Sequence, residues 1–440
     1  MCSATPTPPT AGRWPAAATR PEGPPHLGGI RPDQAVMPPS LPGRTVRPSP
    51  KEQPMNKTVI ALALGAAALA PSAQAAAFKA GDIAIYRVGT GGSSLSSAAT
   101  AVFIDEYTTN GTLVQSIALP TLANGASFAL TASGTATSEG LMTLSADGKS
   151  LVLTGYNAAV GTAGVASSTA ASVTRVVGVV GANGSVNTTT GLGNNFDKNN
   201  IRSAVSTDGN QLWVAGATTG VVATTVGSTG NGTVVSSTVT NNRQLEIFNG
   251  QIYVGNSSGN GLHYATIGAG TPTNSGNVMN ALPGLPTGTN ASSPYAFFMA
   301  DLNPNVAGLD TLYVADDGLN GNGGLQKYSF NGTTWSLKGT VGSAATLRGL
   351  TGSVNANGSV SLFAVGGGGS GPTGGGVLYG FTDVGAATST LSGSLTTLAT
   401  AANNTAFRGV ALAPIPEPQT YALMLSGLLA VAFMARRRRG

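Results

Sequence analysis

The chain has few of the side chains on which catalytic and metal sites usually depend. Its 440 residues include one cysteine, Cys2, and two histidines, and only His263 lies beyond the first 75 residues. Charged residues make up 9% of the chain and aromatic residues 6%. The main part of the chain therefore excludes disulfides, thiolate ligands and any catalytic or metal site that needs two imidazoles.

Small and turn-forming residues take the place of the missing types. The chain contains 63 glycines, and Ser, Thr, Asn, Ala and Val fill most of the rows. This composition favours short strands and turns over helices. Hydrophobic residues still make up 41%, which is enough to bury a core. The composition predicts a folded all-β body.

The formal charge of +5 lies at the two ends of the chain. Between residues 76 and 415 there are 11 basic and 13 acidic side chains, which is a formal charge of −2. A nucleic-acid-binding body would need a basic surface, so we expect no nucleic-acid partner.

Two N-terminal segments differ from the rest. Residues 1–54 hold 14 of the 25 prolines and show no hydrophobic periodicity. Met55 then begins a secretory signal peptide, 55–75, in which Lys57 precedes an apolar run and an Ala-x-Ala cleavage site at Ala73 and Ala75. We predict that translation starts at Met55 and that 1–54 is a mis-assigned leader. A disordered cytosolic extension is the alternative.

Residues 76–415 carry a repeat of hairpins. Strands joined by Asp-Gly or Asn-Gly recur, and a second set of Asn-Gly turns falls later in each unit. Four-stranded antiparallel units every 41 to 63 residues are typical of β-propeller blades. The first strands of the units begin near Glu139, Arg202, Arg243, Tyr295, Arg348 and Arg408. We predict six blades, with seven as a variant and a β-helix as the competing fold.

The two ends of the body complement each other. Residues 407–413 form a first strand with no partners after it, whereas 82–88, 101–107 and 112–119 are three strands with none before them. One blade built from both ends would close the ring, remove two exposed sheet edges and tie the termini together. The sequence therefore predicts a propeller closed by its N- and C-terminal strands.

Four arginines stand at the start of first strands, which line the channel of a propeller. They are Arg202, Arg243, Arg348 and Arg408, and Glu139 and Tyr295 begin the other two blades. The long loops between second and third strands should gather at the same end. A ring of guanidinium groups there could bind carboxylates such as those of acidic sugars. The alternative is structural, with each arginine paired to an Asp or a carbonyl of a neighbouring blade.

Acidic residues are densest in the fourth unit. Asp310, Asp316 and Asp317 form a set of oxygen ligands that could hold calcium, although the EF-hand spacing is absent. A Gly-x-Ser-x-Gly match at 255–259 precedes His263, but it falls in a hairpin loop and not in the strand-to-helix turn that such a nucleophile needs. We expect no catalytic residue there and no cofactor other than calcium.

The C-terminal segment has three parts in a fixed order. Pro416, Glu417 and Pro418 precede an apolar stretch, 421–435, which is followed by Arg436, Arg437, Arg438, Arg439 and a final glycine. The apolar stretch predicts a transmembrane helix with its arginines on the cytoplasmic side. The signal peptide independently places the body on the other side of the membrane.

This tail, 416–440, resembles the PEP-CTERM sorting domain of Gram-negative bacteria. The resemblance implies that an exosortase recognises the Pro-Glu-Pro motif and processes an inner-membrane-anchored precursor, which then reaches the cell surface or the medium. It also implies a link to exopolysaccharide, biofilm or floc formation. We therefore expect a non-enzymatic surface or matrix protein that binds exopolysaccharide or another envelope component. The alternative is a propeller hydrolase or lyase that acts on sugars or lactones.

Overall fold

The computed structural model describes residues 75–256, 262–285, 293–318 and 323–416, and these residues are almost entirely in strands and turns. The first strands are β1 Ile83–Val88, β2 Ala99–Thr100, β3 Val102–Tyr107, β4 Leu113–Ala118 and β5 Ala132–Ser133. The next are β6 Thr143–Leu144, β7 Ser150–Tyr156, β8 Arg175–Gly181 and β9 Val186–Gly191. One 3-10 turn, Val165–Ser167, lies between β7 and β8.

The remaining strands continue the pattern of four. They begin with β10 Ile201–Ser206, β11 Gln211–Gly216, β12 Val221–Thr225, β13 Thr233–Ser236, β14 Asn242–Phe248, β15 Gln251–Asn256, β16 Tyr264–Ile267 and β17 Met279–Ala281. They end with β18 Pro294–Ala300, β19 Thr311–Asp316, β20 Gly324–Phe330, β21 Trp335–Val341, β22 Leu347–Val354, β23 Val360–Gly366, β24 Gly374–Gly375, β25 Val377–Asp383, β26 Thr396–Thr400 and β27 Thr405–Leu412.

The strands form six antiparallel blades, which confirms the predicted six-bladed, all-β arrangement. Blade 1 is β6–β9, blade 2 is β10–β13, blade 3 is β14–β17, blade 4 is β18–β21 and blade 5 is β22, β23, β25 and β26. The sixth, the composite blade, orders its strands β27, β1, β3 and β4, with β24 beside β27. A separate pair, β2 and β5, was not predicted.

The composite blade joins the two ends of the body. β27 pairs antiparallel with β1, from Ile83 opposite Leu412 to Val88 opposite Ala406. The chain then leaves the blade with the Ala413 N–H on the Asp82 carbonyl and the Ile415 N–H on the Gly148 carbonyl, each at 2.8 Å. The strands therefore pair as the sequence predicts. That this pairing closes the ring stays a prediction.

Hairpin turns fall at the predicted dipeptides. Between β14 and β15, Asn249 has φ of 48° and Gly250 has φ of 72°, so both residues adopt the left-handed conformation of a type I′ turn. Asp147-Gly148, Asp208-Gly209 and Asn357-Gly358 also lie between first and second strands, but there only the glycine has positive φ, at 73°, 78° and 82°. Local turn chemistry thus sets where these four blades fold back.

The first strand of blade 1 is shorter than predicted. Only Thr143 and Leu144 pair with β7, although the sequence predicts a first strand that begins near Glu139. The N–H groups of Leu141 and Ala146 instead donate to the Arg202 and Ser206 carbonyls of β10, at 3.0 and 2.9 Å. Part of this segment therefore forms its backbone hydrogen bonds with the neighbouring blade, because it runs beside the inner strand of blade 2.

Apolar side chains fill the spaces between blades in six clusters. Between blade 5 and the composite blade, for example, Phe363 and Val365 pack with Ile85 and Phe407. Burying one such side chain stabilises the fold by roughly 1.5–3 kcal/mol. The core is therefore divided among blade interfaces, and each blade depends on both of its neighbours.

No helix among the described residues is both long and apolar enough to cross a bilayer. The predicted transmembrane helix, 421–435, and the signal-peptide residue Ala73 lie outside those residues. The chain enters the fold directly after the predicted cleavage site, where Phe78 is buried and its N–H donates to the Ala182 carbonyl at 2.8 Å.

Two C-terminal truncations test the closure. A chain that ends at Ala402 lacks β27 and exposes Ile83 and Ile85, so we expect its melting temperature to fall by about 10 °C or more. A chain that ends at Pro416 keeps the pairing and should melt within about 3 °C of the full chain. Circular dichroism melting curves measure both. Similar melting of the two truncated chains would show that β27 does not hold the ring.

Candidate functional site

The first strands bring the predicted arginines together at one end of the channel. Arg202, Arg243, Arg348 and Arg408 lie in β10, β14, β22 and β27, one in each strand. Tyr295 belongs to β18, and Glu139 lies four residues before β6. We call these six residues together with Asp317 the arginine end. The prediction that they share one face depends on their common position at the beginning of the first strands.

Tyr295 is the centre of this group. Its ring lies 3.4 Å from the Arg243 guanidinium carbon and 5.0 Å from that of Arg348, measured to the ring centroid. The side chain is 4% exposed, so both cation–π contacts are largely shielded from solvent. Tyr295 therefore holds two guanidinium groups close together on neighbouring sides of the channel.

Asp317 is the carboxylate that the two arginines share. Arg348 donates from Nε and Nη2 to its Oδ2, each at 2.8 Å, and Arg243 Nη1 lies 3.7 Å from its Oδ1. The two Arg348 contacts form a charge-assisted fork. Asp317 follows β19 directly, in the loop that the sequence predicted would reach this end of the channel.

The arginines also link blades through backbone carbonyls. Arg202 Nη1 donates to Asn241 Oδ1 at 2.6 Å and to the Asn242 carbonyl at 3.0 Å. Arg408 donates to the Gly134 carbonyl at 3.0 Å and to that of Gly368 at 3.3 Å. These contacts agree with the structural alternative from the sequence, in which each arginine pairs with an Asp or a carbonyl of a neighbouring blade. They fix each guanidinium without neutralising its charge.

Positive charge exceeds negative charge at the arginine end. Four guanidinium groups face two carboxyl groups, and the Nε atoms of Arg202, Arg243 and Arg408 are buried with no hydrogen-bond partner among the described residues. Burial, together with the nearby charge of Arg243, lowers the pKa of Arg202 to about 10. Burial likewise lowers the pKa of Arg408 to about 10. Both remain cationic at neutral pH.

Glu139 is the buried carboxyl of the group. It accepts hydrogen bonds from the Tyr156 hydroxyl at 2.7 Å, from Asn200 Nδ2 at 3.2 Å and from the Ser133 N–H. Burial nonetheless raises the pKa of Glu139 to about 7, and the three hydrogen bonds and Arg408 oppose this rise. Glu139 therefore loses its proton near neutral pH. Its negative charge then reduces the surplus of positive charge at the site.

The long loops meet one another around this end. The Leu95 N–H donates to the Pro372 carbonyl at 2.7 Å, and the Ala99 N–H donates to that of Thr162 at 2.8 Å. The space among Glu139, Arg348 and Arg408 measures about 10 Å³, enough for roughly one water molecule. A larger ligand would therefore meet the arginine end from its rim and not enter the channel.

The predicted calcium ligands have separate partners. Asp310 accepts from the Leu302 and Asn303 N–H groups, at 3.1 and 2.7 Å, and Asp316 accepts from Ser293 and Gly318. Burial raises the pKa of Asp316. Asp317 is held by arginines, as described above. Among the described residues no three His, Cys, Asp or Glu side chains form a metal-ligand group, and calcium binding stays a prediction.

Residues that the sequence did not identify complete the site. Asp317 was considered only as a metal ligand, and Tyr156 and Asn200 were not considered. Tyr156 ends a second strand and Asn200 precedes a first strand. The end of a second strand and the beginning of a first strand lie at the same end of the blades, where the arginines also lie. That positional rule could have found them. The carbonyls of Gly134 and Gly368 lie in irregular loops for which no such rule exists.

Comparison with family models finds one match, at the C-terminus of the chain. Residues 414–439 match the PEP-CTERM protein-sorting motif, so the chain carries this motif behind a six-bladed, propeller-like body. The motif implies a secreted, membrane-anchored precursor that an exosortase processes to the cell surface. No curated protein matches the sequence.

Solved structures with a similar arrangement are distant. A putative 6-phosphogluconolactonase from Bacteroides uniformis has 12% identity and a TM-score of 0.38, with 73% of this chain and 82% of that chain covered. The aldose sugar dehydrogenase of Escherichia coli has 11% identity and a TM-score of 0.34, with 63% and 95% covered. BamB from Moraxella catarrhalis has 11% identity and a TM-score of 0.29, with 72% and 85% covered.

Asp317→Asn tests the electrostatics of the arginine end. The substitution keeps the shape but leaves Arg243 and Arg348 without their shared carboxylate, so we expect the free energy of unfolding to fall by about 1–3 kcal/mol at low salt. Added salt should recover part of the loss. Urea unfolding at two salt concentrations measures it. Asp301→Asn, an exposed control, should stay within about 0.5 kcal/mol of the original chain. Equal effects of the two substitutions would contradict the surplus of positive charge.

Proposed function

We propose that this protein is an exported surface or matrix protein whose arginine end binds an anionic extracellular polysaccharide. The PEP-CTERM motif supports export and sorting to the surface. The observation that carries the binding proposal is the surplus of buried guanidinium groups at one end of a rigid scaffold. The body as a whole has a formal charge of −2, so four cations at one end are a local concentration of positive charge.

The chemistry of guanidinium groups favours carboxylates as the ligand. An arginine offers a planar fork of donors that matches the two oxygens of a carboxylate. The Arg348 and Arg243 side chains are 25% and 13% exposed, so these two can contact a ligand at the rim. Arg202 and Arg408 lie deeper and add positive potential. Uronic acid units of an acidic polysaccharide carry the matching group.

A polymer suits this geometry better than a small molecule does. The narrow gap among Glu139, Arg348 and Arg408 admits no sugar ring, whereas a chain of sugars can lie across the rim and present one carboxylate after another. Several weak contacts then add up through multivalency. Because the ligand stays on the surface, we propose binding and not catalysis as the function.

One observation favours an enzyme as the second candidate. Glu139 has a pKa of about 7, which is near the value expected of a general acid or base at neutral pH, and its partner Tyr156 lies beside it. A hydrolase or lyase that acts on sugars or lactones could use such a group. Release of reducing sugar ends or of unsaturated uronate by the purified protein, and its loss in Glu139→Gln, would favour this candidate.

Binding to polyuronate tests the proposal directly. We expect the double substitution Arg202→Ala/Arg348→Ala to weaken binding to polygalacturonate about tenfold or more. It removes the charge-assisted contact of Arg348 and the positive potential that Arg202 adds. Affinity electrophoresis or biolayer interferometry with immobilised polymer measures the change. Neutral dextran should not bind. Lys79→Ala/Lys338→Ala removes the same charge from other surfaces and should change binding less than twofold. Unchanged polyuronate binding by the arginine variant would refute the site.

Fractionation tests the sorting step. In a host with its exosortase we expect the body at the cell surface or in the medium, and in a strain that lacks the enzyme we expect the full-length precursor in the inner membrane. Glu417→Ala, which alters the motif within the matched segment, should behave like the enzyme deletion. Immunoblots of the fractions distinguish the lengths. A surface-located body in the deletion strain would show that sorting does not depend on an exosortase.

A further inference from the structure

A second carboxyl group lies deep inside the channel, away from the arginine end. Glu246 belongs to β14 and lines a cavity of about 180 Å³ between the inner strands of blades 1, 3, 4 and 5 and the composite blade. Its only hydrogen bond among the described residues comes from Gln244 Nε2. No other lining residue of this cavity is charged. This cavity is thus lined by one acidic group and by no cationic side chain.

The walls around Glu246 are apolar and partly aromatic. Phe248 lies two residues further along the same strand, and Phe298 enters from β18, with its ring centroid 5.9 Å from that of Phe248. Both rings keep some exposure to the cavity, as Glu246 does. Met142, Leu350 and Val410 complete the wall. An unpaired carboxyl in such surroundings costs stability, because removing its charged form from water is unfavourable.

Glu246 is therefore a position that stability alone does not explain. A leucine or methionine would fill the same wall without the desolvation cost. Burial raises the pKa of Glu246 to about 8, and Gln244 opposes this rise only in part. No side chain lining the cavity carries a positive charge, so a cation that pairs with the ionised carboxylate would have to come from outside the chain.

The chemistry of the wall selects the kind of cation. Calcium and similar hard ions take six to eight oxygen ligands, and this cavity offers one carboxylate with a few hydroxyl groups from Ser145, Thr143 and Thr351. An organic ammonium ion needs fewer oxygen ligands, and it gains cation–π attraction from aromatic faces and burial of its methyl or methylene groups. The pairing of one carboxyl with two phenyl rings fits such an ion.

We propose that the channel cavity of Glu246, Phe248 and Phe298 binds a small organic ammonium ion. The ion pairs with the ionised carboxyl group and contacts the two rings. Binding requires the deprotonated form of Glu246, so each bound ion displaces the carboxyl proton to the solvent. This site lies below the arginine end, binds the opposite charge and does not depend on the polysaccharide proposal.

Calorimetric titration of the purified full chain with tetramethylammonium chloride tests the site. Because only the ionised carboxyl binds, the dissociation constant should fall about tenfold from pH 6 to pH 7 and level off above about pH 8. Buffers of different ionisation enthalpy should report nearly one proton released per ion at pH 7. Sodium chloride at equal concentration is the ionic-strength control. No binding at pH 9, where the carboxyl is ionised, would overturn the proposal.

Three variants separate this site from a general charge effect. Glu246→Gln keeps the shape of the side chain and should abolish both binding and proton release. Phe298→Leu should weaken binding about threefold to tenfold at pH 9 and leave proton release unchanged, because it removes only an aromatic face. Asp301→Asn removes an exposed carboxylate and should bind like the original chain. Melting curves confirm that each variant is folded, and unaltered binding by folded Glu246→Gln would refute the assignment.

Discussion

Six inner strands run side by side around one narrow channel, and most of this molecule follows from that constraint. Whatever residue begins an inner strand must share the channel end with the residues that begin the other five. Arg202, Arg243, Arg348 and Arg408 therefore lie together although about 200 residues separate the first from the last. Like charges would repel one another there, and Tyr295 and Asp317 reduce that repulsion. The fold thus concentrates charge that the sequence distributes sparsely.

The same constraint explains why structural and binding roles do not exclude each other at the arginine end. A guanidinium group has five N–H donors, and a contact with a carbonyl such as that of Asn242 or Gly134 uses one or two of them. The positive charge remains, and the partly exposed Arg348 and Arg243 can present N–H donors to an anion at the rim. Carbonyl contacts hold the side chains rigid in advance, which would lower the entropy cost of binding. Under the proposed function, links between blades therefore position the arginines for a ligand.

Much of the fold could be predicted because its signals are local. A type I′ turn needs two residues that tolerate positive φ, so dipeptides such as Asn249-Gly250 mark hairpins directly. The spacing of the repeated units then predicted that Glu139, Tyr295 and the arginines lie at the beginning of the inner strands. The shortness of β6 was not predicted, because the backbone N–H groups of Leu141 and Ala146 form hydrogen bonds with another blade. Asp317 was assigned to a metal, since nothing in the sequence shows that two arginines from different blades reach it. Glu246 was missed because the sequence pattern of an inner strand does not distinguish a carboxyl in a cavity with apolar walls from one in open solvent.

The arginine end and the cavity around Glu246 differ both in charge and in the side chains that surround them. At the arginine end, loops leave Arg348 partly exposed, so water and a polymer can both reach the surplus positive charge. Around Glu246 the walls are apolar and the cavity is small, so the carboxyl is stable there mainly in its neutral form at pH 7. Under the two binding proposals, a cationic end and a titratable acid in one channel give the propeller two sites for ligands of opposite charge. Both sites would then depend on pH, through Glu139 at the first and Glu246 at the second. Rising pH would favour the cation at Glu246 and reduce the surplus positive charge at the arginine end.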